Sequence, residues 1–432
     1  MRERRVRKGL IRRSEDIMRE TRNRVRRGED LGTGFWTGRG VRQGCPLSPH
    51  LFNLITADME EVMNRGGWGG STYADDVVLI AEEEEGMRSM IGKLEGYLEK
   101  KGLELNVGKS KILSWRWKGK EIEEVKEYLY LGYMMQRNGG QEAQIRDRLR
   151  KGAAVMGQVW GIGKRKLKND WGRRLWLFDK LVWTVMGYGA LERLQERYLR
   201  WVLGVEWGTP GYMVREELQR EKLRGRAGRR AWGFEKRLEE GRGSGIARRC
   251  WEELRERSRR KVDLSKWEEE RCRYFEDRGM GMVEIEAKRS EGVLDFGYFV
   301  KKDREMDEKE RWERIEESRY NRLYKEIKGS GIPEYLRKDW GESRWQRMER
   351  YRLGNGMRGN WYWKEEEDKK CRLCGREEES WEHVWERCMN WGVEKGWQEM
   401  LGEVLGEKGE GEGWLRELES MRREGENDGE ND

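Results

Sequence analysis

Proline and histidine are scarce in this chain of 432 residues, with four and two copies, and no long apolar run is present. A helix that crosses a bilayer requires about twenty consecutive apolar residues, so we expect no membrane segment. The arginine-rich first residues lack the apolar region of a secretory signal peptide. Six cysteines in so long a chain, without a secretory signal, favour reduced thiols or metal ligands over a disulfide framework.

Charge is abundant and unevenly distributed along the chain. Lysine and arginine number 91 against 83 acidic residues, which gives a formal net charge of +8. Residues 1–30 carry twelve basic and six acidic side chains, whereas residues 402–432 carry four and eleven. The basic blocks favour a polyanionic partner such as nucleic acid, in the nucleus or the cytoplasm. The acidic end is typical of a solvated, disordered tail.

The tetrapeptide Tyr73-Ala74-Asp75-Asp76 leads directly into an apolar run at residues 77–81. A short β-branched run that is ended by charges predicts a buried strand. Adjacent carboxylates at the head of such a strand are costly unless they are paired, and Mg2+ ions are suitable partners. Two such ions can activate a primer hydroxyl and stabilise the leaving pyrophosphate. In isolation, however, these four residues are more often a tight turn with solvated aspartates.

A second motif lies upstream, at residues 40–49, and combines a basic and an amide side chain with a glycine turn. Gly44 allows the backbone to approach a ligand closely, and Ser48-Pro49 predicts the start of a helix. Arg42 and Gln43 precede that helix and are well placed to meet a phosphate or a base edge. The alternative is a well-capped helix without a ligand.

Helices are also predicted at residues 9–27 and 87–101, and an aromatic strand at residues 126–133. Between the last two lies Leu105-Asn106, which is followed by Lys109 and Lys111. Taken alone, these lysines are explained by a solvated turn.

Four segments resemble, in the same order, sequence blocks of reverse transcriptases of the LINE, or non-LTR retrotransposon, type. They are Arg42-Gln43-Gly44-Cys45-Pro46-Leu47-Ser48-Pro49, Tyr73-Ala74-Asp75-Asp76, Leu105-Asn106 with Lys109 and Lys111, and Tyr130-Leu131-Gly132-Tyr133. The segments cover roughly residues 40–133. The resemblance implies a palm subdomain that copies an RNA template by extending a DNA primer.

The resemblance also implies roles for individual residues. Asp75 and Asp76 would be the catalytic ligands of Mg2+. Lys109 and Lys111 would lie near the incoming triphosphate, where a lysine can protonate the leaving group. Template, nucleotide and primer contacts would come from Arg42, Gln43, Gly44, Tyr73, Tyr130, Leu131 and Gly132.

Two departures from the family pattern point to a copy that is not autonomous. The two-metal mechanism needs another carboxylate on an earlier strand, but Asp16 lies in an arginine-rich helix and Asp30 in a glycine-rich turn. We therefore expect the fingers and the first palm strand to be absent. The hairpin before Asp75 is also short, so one sheet strand is expected to be missing or shortened.

Beyond residue 134 the pattern turns helical. Helices are predicted at residues 141–158, 171–187 and 190–203, which suits a thumb-like bundle in the family order. The segment 208–211 breaks the pattern and indicates a boundary. Residues 212–360 are charged and rich in helix, and the basic cluster at residues 224–230 either grips phosphates or is a solvated face.

A third motif, Cys371-x2-Cys374-x8-His383-x4-Cys388, has the ligand types and spacing of a structural zinc site. Three thiolates and one imidazole make a closed tetrahedral set. The motif resembles the cysteine–histidine knuckle near the C-terminus of LINE-type proteins. The alternative is a group of buried thiols beside a chance histidine.

We therefore predict an α+β chain with an antiparallel palm sheet, followed by mostly helical parts and a small zinc knuckle. The predicted parts are a partial palm at residues 1–133, a thumb-like bundle at 134–207, a charged helical connector at 208–360, a zinc knuckle at 361–392 and an acidic tail at 393–432. The predicted function is that of a reverse transcriptase remnant, inactive alone because the first catalytic carboxylate is absent. The alternatives are a non-catalytic protein that binds RNA or DNA through basic helices and the knuckle, and a decayed reading frame without a stable fold. The sequence leaves the oligomeric state open.

Overall fold

The chain divides between Gln141 and Glu142 into two units of packed structure in the computed structural model. The structure describes residues 6–19, 21–37, 40–41, 44–64, 69–81, 83–113, 123–186, 192–260, 264, 266–388 and 395–428. The two units differ in secondary structure. In the described residues, the strands lie in the first unit and helices predominate in the second.

The first unit alternates short strands with four helices among its described residues. Its helices are α1 (Lys8–Arg19), α2 (Ser48–Thr56), α3 (Met59–Asn64) and α4 (Glu84–Lys101). Its strands are β1 (Thr21–Asn23), β2 (Arg26–Arg27), β3 (Asp30–Leu31), β4 (Phe35–Thr37), β5 (Gly69–Tyr73), β6 (Asp76–Ile80), β7 (Lys111–Ile112), β8 (Glu123–Glu124), β9 (Glu127–Tyr130) and β10 (Tyr133–Gln136). The pairs β1–β4, β2–β3, β5–β6 and β9–β10 are antiparallel, whereas β7–β8 is parallel.

The hairpin β5–β6 carries the Tyr73–Asp76 motif and packs on helices α3 and α4. Alternate residues Val77 and Leu79 lie against a core formed by Met59, Met63, Met90, Leu94 and Tyr97. This period of two is that of a strand with one covered face. Ile80 is 60% exposed, so the expectation of a buried strand is only half right. The second face is uncovered because, in the described part of the chain, the hairpin forms a sheet of two strands only.

One expectation for the first unit is wrong. The helix predicted at residues 9–27 ends at Arg19, because the residues after it form strands β1 and β2 and the chain reverses at Gly28 with a φ of 64°. Before the aspartates, β5 pairs with β6 along its five residues, and the expectation that one sheet strand of the family is missing or shortened stays a prediction.

The second unit is built from helices in its described residues. They are α5 (Glu142–Lys166), α6 (Trp171–Leu177), α7 (Trp183–Met186), α8 (Glu192–Leu203), α9 (Gly211–Glu217), α10 (Leu223–Glu239), α11 (Gly245–Arg260), α12 (Lys266–Glu276), α13 (Met282–Ser290), α14 (Phe296–Glu316), α15 (Tyr324–Ile327), α16 (Glu342–Arg352), α17 (Trp397–Val404) and α18 (Glu412–Asp428). A π-helical turn at Phe178–Val182 joins α6 to α7, so the three helices predicted for residues 141–203 lie where the pattern indicated them.

One hydrophobic core runs through most of the second unit, from Met156 on α5 to Leu418 on α18. It includes residues on both sides of the predicted boundaries at 208 and 360. A smaller core lies under α12, α13 and α14, around Phe275, Ile285 and Phe299. The division of the chain into five functional parts stays a prediction.

A buried ionic network lies within the main core. The carboxylate of Glu217 accepts hydrogen bonds from Arg352 Nε at 2.7 Å and from the Tyr324 hydroxyl at 2.6 Å. The Tyr335 hydroxyl lies between Glu217 and Glu349, at 3.0 and 2.7 Å. Glu217, Glu349 and Arg352 are fully buried. Buried ionisable groups of this kind are tolerated in a core only when they are hydrogen-bonded and their charges are paired.

The expectation of a disordered acidic tail is wrong for the described residues. Helices α17 and α18 occupy most of residues 395–428, and Leu415 and Leu418 are completely buried in the main core. The acidic residues lie between these apolar positions and pair with cations of α16, as Glu419 does with Arg347 at 2.8 Å. Apolar spacing of three along α18 therefore outweighs its negative charge.

The described residues form a mixed structure of many helices and small, mainly antiparallel sheets, which agrees with the predicted class at that level. Within the described ranges, every helix falls short of the length and apolar content that a bilayer-spanning helix requires.

Candidate functional site

The two aspartates lie at the tip of the β5–β6 hairpin. Tyr73 pairs with Asp76, so Ala74 and Asp75 form a two-residue turn between the strands. Ala74 has a φ of 53°, in the left-handed region that a residue with a Cβ adopts at a cost. Asp75 and Asp76 are both exposed to solvent. The turn thus presents two neighbouring carboxylates outward from a rigid hairpin.

A third carboxylate does not join this pair among the described residues. The one group of three or more potential metal ligands there is the Cys/His cluster of the second unit. Asp16 lies on α1, whereas Asp30 lies on strand β3 and not in a glycine-rich turn, and both residues are exposed. The hairpin therefore supplies two of the oxygen donors that a pair of Mg2+ ions requires.

The hairpin β9–β10 carries Tyr130, Leu131 and Gly132 and lies near Asp76. Leu131 and Gly132 have φ values of 46° and 80°, so the turn has two left-handed residues, as tight β-hairpins prefer. Burial, and then the negative charge of Asp76, raise the pKa of Tyr130. This electrostatic effect requires the phenol to lie near Asp76, so the fourth predicted block lies near the second.

Lys109 lies in the turn that precedes β7. Its backbone N–H donates to the Asn106 carbonyl at 3.1 Å, and its own carbonyl accepts a hydrogen bond from the Tyr128 hydroxyl at 3.2 Å. The turn is therefore tied to β9, while the Lys109 side chain is exposed. Lys111, in contrast, is paired with Glu123 at 2.5 Å.

The glycine turn before α2 is partly described. Gly44 has a φ of 82°, which favours glycine, and the Ser48 N–H donates to the Cys45 carbonyl at 3.0 Å. Helix α2 begins at Ser48 with Pro49 in its first turn, as predicted. The predicted template and nucleotide contacts Arg42 and Gln43 lie outside the described residues.

The second unit brings Cys371, Cys374, His383 and Cys388 together. Their potential ligand atoms all lie within 4.8 Å of one another. Cys371 Sγ and Cys388 Sγ are 3.8 Å apart, and Cys374 Sγ is 3.2 Å from His383 Nε2. A tetrahedral zinc ion with Zn–S bonds of about 2.3 Å places its sulfur ligands roughly 3.8 Å apart. The cluster could therefore hold zinc with little rearrangement.

The thiols of this cluster differ in their acidity. Burial would raise the pKa of Cys374, but hydrogen bonds from the backbone at Arg376 and from His383 outweigh it and lower the pKa to about 6. Burial, and then the neighbouring Cys371, raise the pKa of Cys388 to about 12. Burial likewise raises the pKa of Cys371. Crowded buried thiols of this kind are stabilised as thiolates by a bound cation.

Carboxylates surround the cluster and orient its histidine. Glu377 Oε2 lies 3.2 Å from His383 Nδ1, which leaves Nε2 directed towards Cys374. A carboxylate on the far nitrogen is the usual support of a zinc-bound histidine. The fully buried Glu379 binds Arg372 with a shortest distance of 2.7 Å. The spacing of the cysteines did not predict these partners, because they depend on how the loop 371–379 folds back.

Most of the first unit is similar to proteins of known family. Residues 7–135 match the family model described as reverse transcriptase (RNA-dependent DNA polymerase). The chain is 34% identical over 113 residues to the Pol polyprotein of the type-1 retrotransposable element R2 of Nasonia vitripennis. It is 35% identical over 83 residues to that of the type-2 element R2DM of Drosophila melanogaster.

Residues 7–135 are therefore similar to reverse transcriptases, and both relatives are Pol polyproteins of R2 retrotransposable elements. The recognition made from the four sequence blocks is thereby confirmed. The alignments cover 24% and 17% of this chain and 11% and 8% of the two relatives.

The family match extends further towards the N-terminus than the four blocks did. It begins at residue 7 and so includes α1 and the strands β1 to β4. The reverse transcriptase segment thus coincides with most of the first structural unit. The individual roles assigned to the residues of this segment stay predictions.

Proposed function

We propose that this chain is a reverse transcriptase part that holds an RNA template and a DNA primer but does not extend the primer by itself. The observation that carries the proposal is the β5–β6 hairpin, where two exposed carboxylates stand without a third in the described part of the chain. A two-metal site that lacks one carboxylate binds its ions weakly, because each missing ligand removes charge compensation.

In this proposal the first unit would be the partial palm and the following helices the thumb-like bundle and connector. Asp75 and Asp76 would hold Mg2+, which supplies charge stabilisation for nucleotidyl transfer. Lys109 would face the triphosphate, and Gln43 and Arg42 the template. Tyr73 and Gly44 would contact the nucleotide and template. The turn Tyr130–Gly132, which neighbours Asp76, would position the primer end.

The Cys/His cluster would bind zinc through Cys371, Cys374, His383 and Cys388. All four positions would be filled by protein, so the ion would be structural and not catalytic. Its binding would contribute on the order of ten kcal/mol to the folding of this region. The packing of the cluster against the main core supports this role, since Cys371 belongs to that core.

A second candidate function is nucleic-acid binding without catalysis. The second unit favours it, because this unit combines a Cys/His cluster that could hold a metal with one continuous hydrophobic core. A decayed reading frame would not be expected to keep both. The basic cluster on α10 contributes less than its sequence suggested, since Arg226 is bound to Asp179 at 2.6 Å and Arg229 lies 3.6 Å from Glu221.

Primer extension on an RNA template with Mg2+ tests the proposal. The wild-type chain is compared with the double variant Asp75→Ala/Asp76→Ala, and RNA binding is measured for both in parallel. We expect no extension from either protein and equal, salt-dependent RNA binding by both. Extension by the wild type alone would mean that a further carboxylate completes the site, and would overturn the claim of inactivity.

The binding function has its own control in the cysteine cluster. Cys371→Ser removes a predicted zinc ligand, whereas Cys250→Ser changes an exposed thiol on α11. Loss of RNA binding in the first variant, with binding retained in the second, would support the non-catalytic function. Absence of RNA binding by the wild type would contradict both candidate functions.

A further inference from the structure

Three large aromatic side chains lie exposed on one part of the second unit. Trp207, Tyr362 and Trp363 are exposed by 90%, 63% and 47%. Many aromatic residues of this unit pack in its main core, whereas these three side chains are left largely in solvent. Exposed apolar groups that occur together mark interaction sites more often than singly scattered ones. We call these three residues the aromatic platform.

The rings of the platform are placed by direct contacts. Trp363 stacks on the buried Tyr320, with ring centroids 5.8 Å apart and planes inclined by 22°. Tyr362 meets Trp363 nearly at right angles, at 5.1 Å and 88°. A Cβ added to Gly208 would lie 3.6 Å from Trp363 Cζ2, so the residue next to Trp207 lies near the same indole.

Asn355 connects the segment around Trp207 to Tyr320, the residue on which Trp363 stacks. Its side-chain N–H donates to the Tyr320 hydroxyl at 2.6 Å. Its side-chain oxygen Oδ1 accepts a hydrogen bond from the Glu206 backbone N–H at 2.8 Å. Asn355 also donates to Thr209 Oγ1 at 2.9 Å, and both Asn355 and Thr209 are buried. The segment 206–209 and Tyr320 are thus fixed before any ligand binds, which lowers the entropic cost of binding.

Arg319, Arg322 and Arg358 are close in the sequence to Tyr320 or to the exposed rings, and in the described part of the chain their side chains have no ion-pair or hydrogen-bond partner. Arg319 and Arg322 are exposed and flank Tyr320, and Arg358 is half-buried three residues before Trp361. Many other arginines of the unit are paired, as Arg347 is with Glu419 at 2.8 Å. Guanidinium groups left free next to exposed rings are suited to phosphate groups.

The acidic side chains near the platform are partly neutralised. Glu206 directly precedes Trp207, and four further acidic residues follow Trp363 in the segment 365–368. Asp368 lies 3.6 Å from Lys364, and Glu367 lies 2.6 Å from Lys370. The three free arginines therefore give the platform its positive groups.

We propose that the aromatic platform stacks the bases of a single-stranded nucleic acid, while Arg319, Arg322 and Arg358 hold its phosphates. Base stacking on aromatic rings combined with cations along the backbone is how single strands are bound without sequence preference. Paired bases are not available for such stacking, so a duplex binds less well. The inference rests on the proposed function, since it names one place where this chain would hold its nucleic acid.

Equilibrium binding of fluorescent oligonucleotides to the full chain tests the platform. The probes are oligo(U) and oligo(dT) of roughly ten nucleotides, within the usual site size of such surfaces, and a duplex of equal length. We expect Trp207→Ala/Trp363→Ala to weaken binding of both single strands by about tenfold or more and duplex binding much less. Trp176→Ala is the matched control, because Trp176 is also exposed, by 56%, but lies on α6.

The salt dependence of binding tests the arginines. The slope of log K against log salt falls by about 0.7 for each phosphate contact to a single strand, so Arg319→Ala/Arg322→Ala is expected to reduce it by about 1.4. Arg416→Ala is the control, since Arg416 is exposed on α18. Unchanged slopes in the double variant would overturn the assignment of these two arginines.

The outcomes separate this inference from the proposed function. Wild-type binding that survives the platform substitutions, in variants that unfold at the wild-type temperature, overturns the platform and leaves the proposed function intact. Absence of wild-type binding contradicts both. Equal loss for oligo(U) and oligo(dT) assigns the contacts to bases and phosphates, whereas a loss confined to oligo(U) supports the platform and adds a contact to the 2′-hydroxyl.

Discussion

The guanidinium group of Arg422 forms an ion pair with the carboxylate of Glu379. Arg422 lies on the last helix, α18, and Glu379 lies in the loop of the Cys/His cluster, four residues before His383. Both side chains are almost completely buried. Arg422 also donates to the Tyr351 hydroxyl at 2.8 Å and to the Gly356 carbonyl at 3.0 Å. The final helix is thus anchored to the metal-ready loop and to α16.

Replacing Arg422 with methionine is expected to destabilise the second unit strongly. The substitution leaves the buried Glu379 with a single arginine, and breaking a buried ion pair from one side costs about 3–5 kcal/mol. Urea unfolding followed by tryptophan fluorescence measures the change. Arg416→Met, an exposed change on the same helix, is expected to cost less than about 0.5 kcal/mol. A loss of under about 1 kcal/mol in Arg422→Met would contradict the role of this pair.

The sequence predicted elements whose determinants are local. The helices of residues 141–203 follow from apolar spacing, and the strand after Asp76 follows from its β-branched run. The cluster of Cys371, Cys374, His383 and Cys388 was also predictable, because ligand type and spacing are local properties. For the same reason, the four reverse transcriptase blocks were recognisable without a structure.

Features that depend on packing between distant segments were not predictable. The helical end of the chain was not predicted, because its negative charge indicated a disordered tail. Leu415 and Leu418 are buried there only because they pack against core residues that are distant in the sequence. Composition alone gave no sign that Arg422 would be buried. The platform was missed too, since Trp207 and Trp363 are 156 positions apart and the abundance of tryptophan made single copies uninformative.

The Cys/His cluster is expected to carry one zinc ion per chain, measured by elemental analysis of the purified protein. Cys371→Ser should lose the ion and unfold at a lower temperature, because the site loses a ligand and a buried partner. Cys250→Ser should retain it, since Cys250 is exposed on α11. A strong chelator should reproduce the effect of Cys371→Ser on the wild type. A wild-type protein that contains no zinc, and whose unfolding temperature does not change with the chelator, would refute the site.

The buried Glu349, which lies beside Glu217, is expected to make stability fall as pH rises. Burial, and then the charge of Glu217, raise the pKa of Glu349 well above its ordinary value of 4.5. The folded protein therefore keeps a proton that the unfolded chain releases, and stability decreases from about pH 4.5 upwards until the raised pKa is passed.

Glu349→Gln isolates this effect because glutamine keeps the shape and removes the titration. The difference in unfolding free energy between variant and wild type should move in favour of the variant between pH 5 and pH 8, in steps of up to about 1.4 kcal/mol per pH unit. Urea unfolding at several pH values measures it. A difference that stays constant across this range would show that Glu349 is ionised in the folded state.

In the first unit, Asp58 is expected to contribute stability that disappears in acid. The Tyr97 hydroxyl donates to its carboxylate at 2.6 Å and Lys101 Nζ lies at 2.9 Å. The bond from Tyr97, and then that from Lys101, lower the pKa of Asp58 from 3.8 to about 2. As pH falls, the folded state therefore binds this proton at a lower pH than the unfolded state does, so the contribution is complete above about pH 4 and is lost as pH falls towards 2.

Carboxyl-carbon NMR of aspartate-labelled protein, assigned with Asp58→Asn, measures the pKa of Asp58 directly. Tyr97→Phe removes the main cause and should move the pKa of Asp58 back towards 3.8, while an unchanged value would show that Tyr97 does not hold this carboxylate. The gain in stability is small, because solvent screens a half-exposed pair.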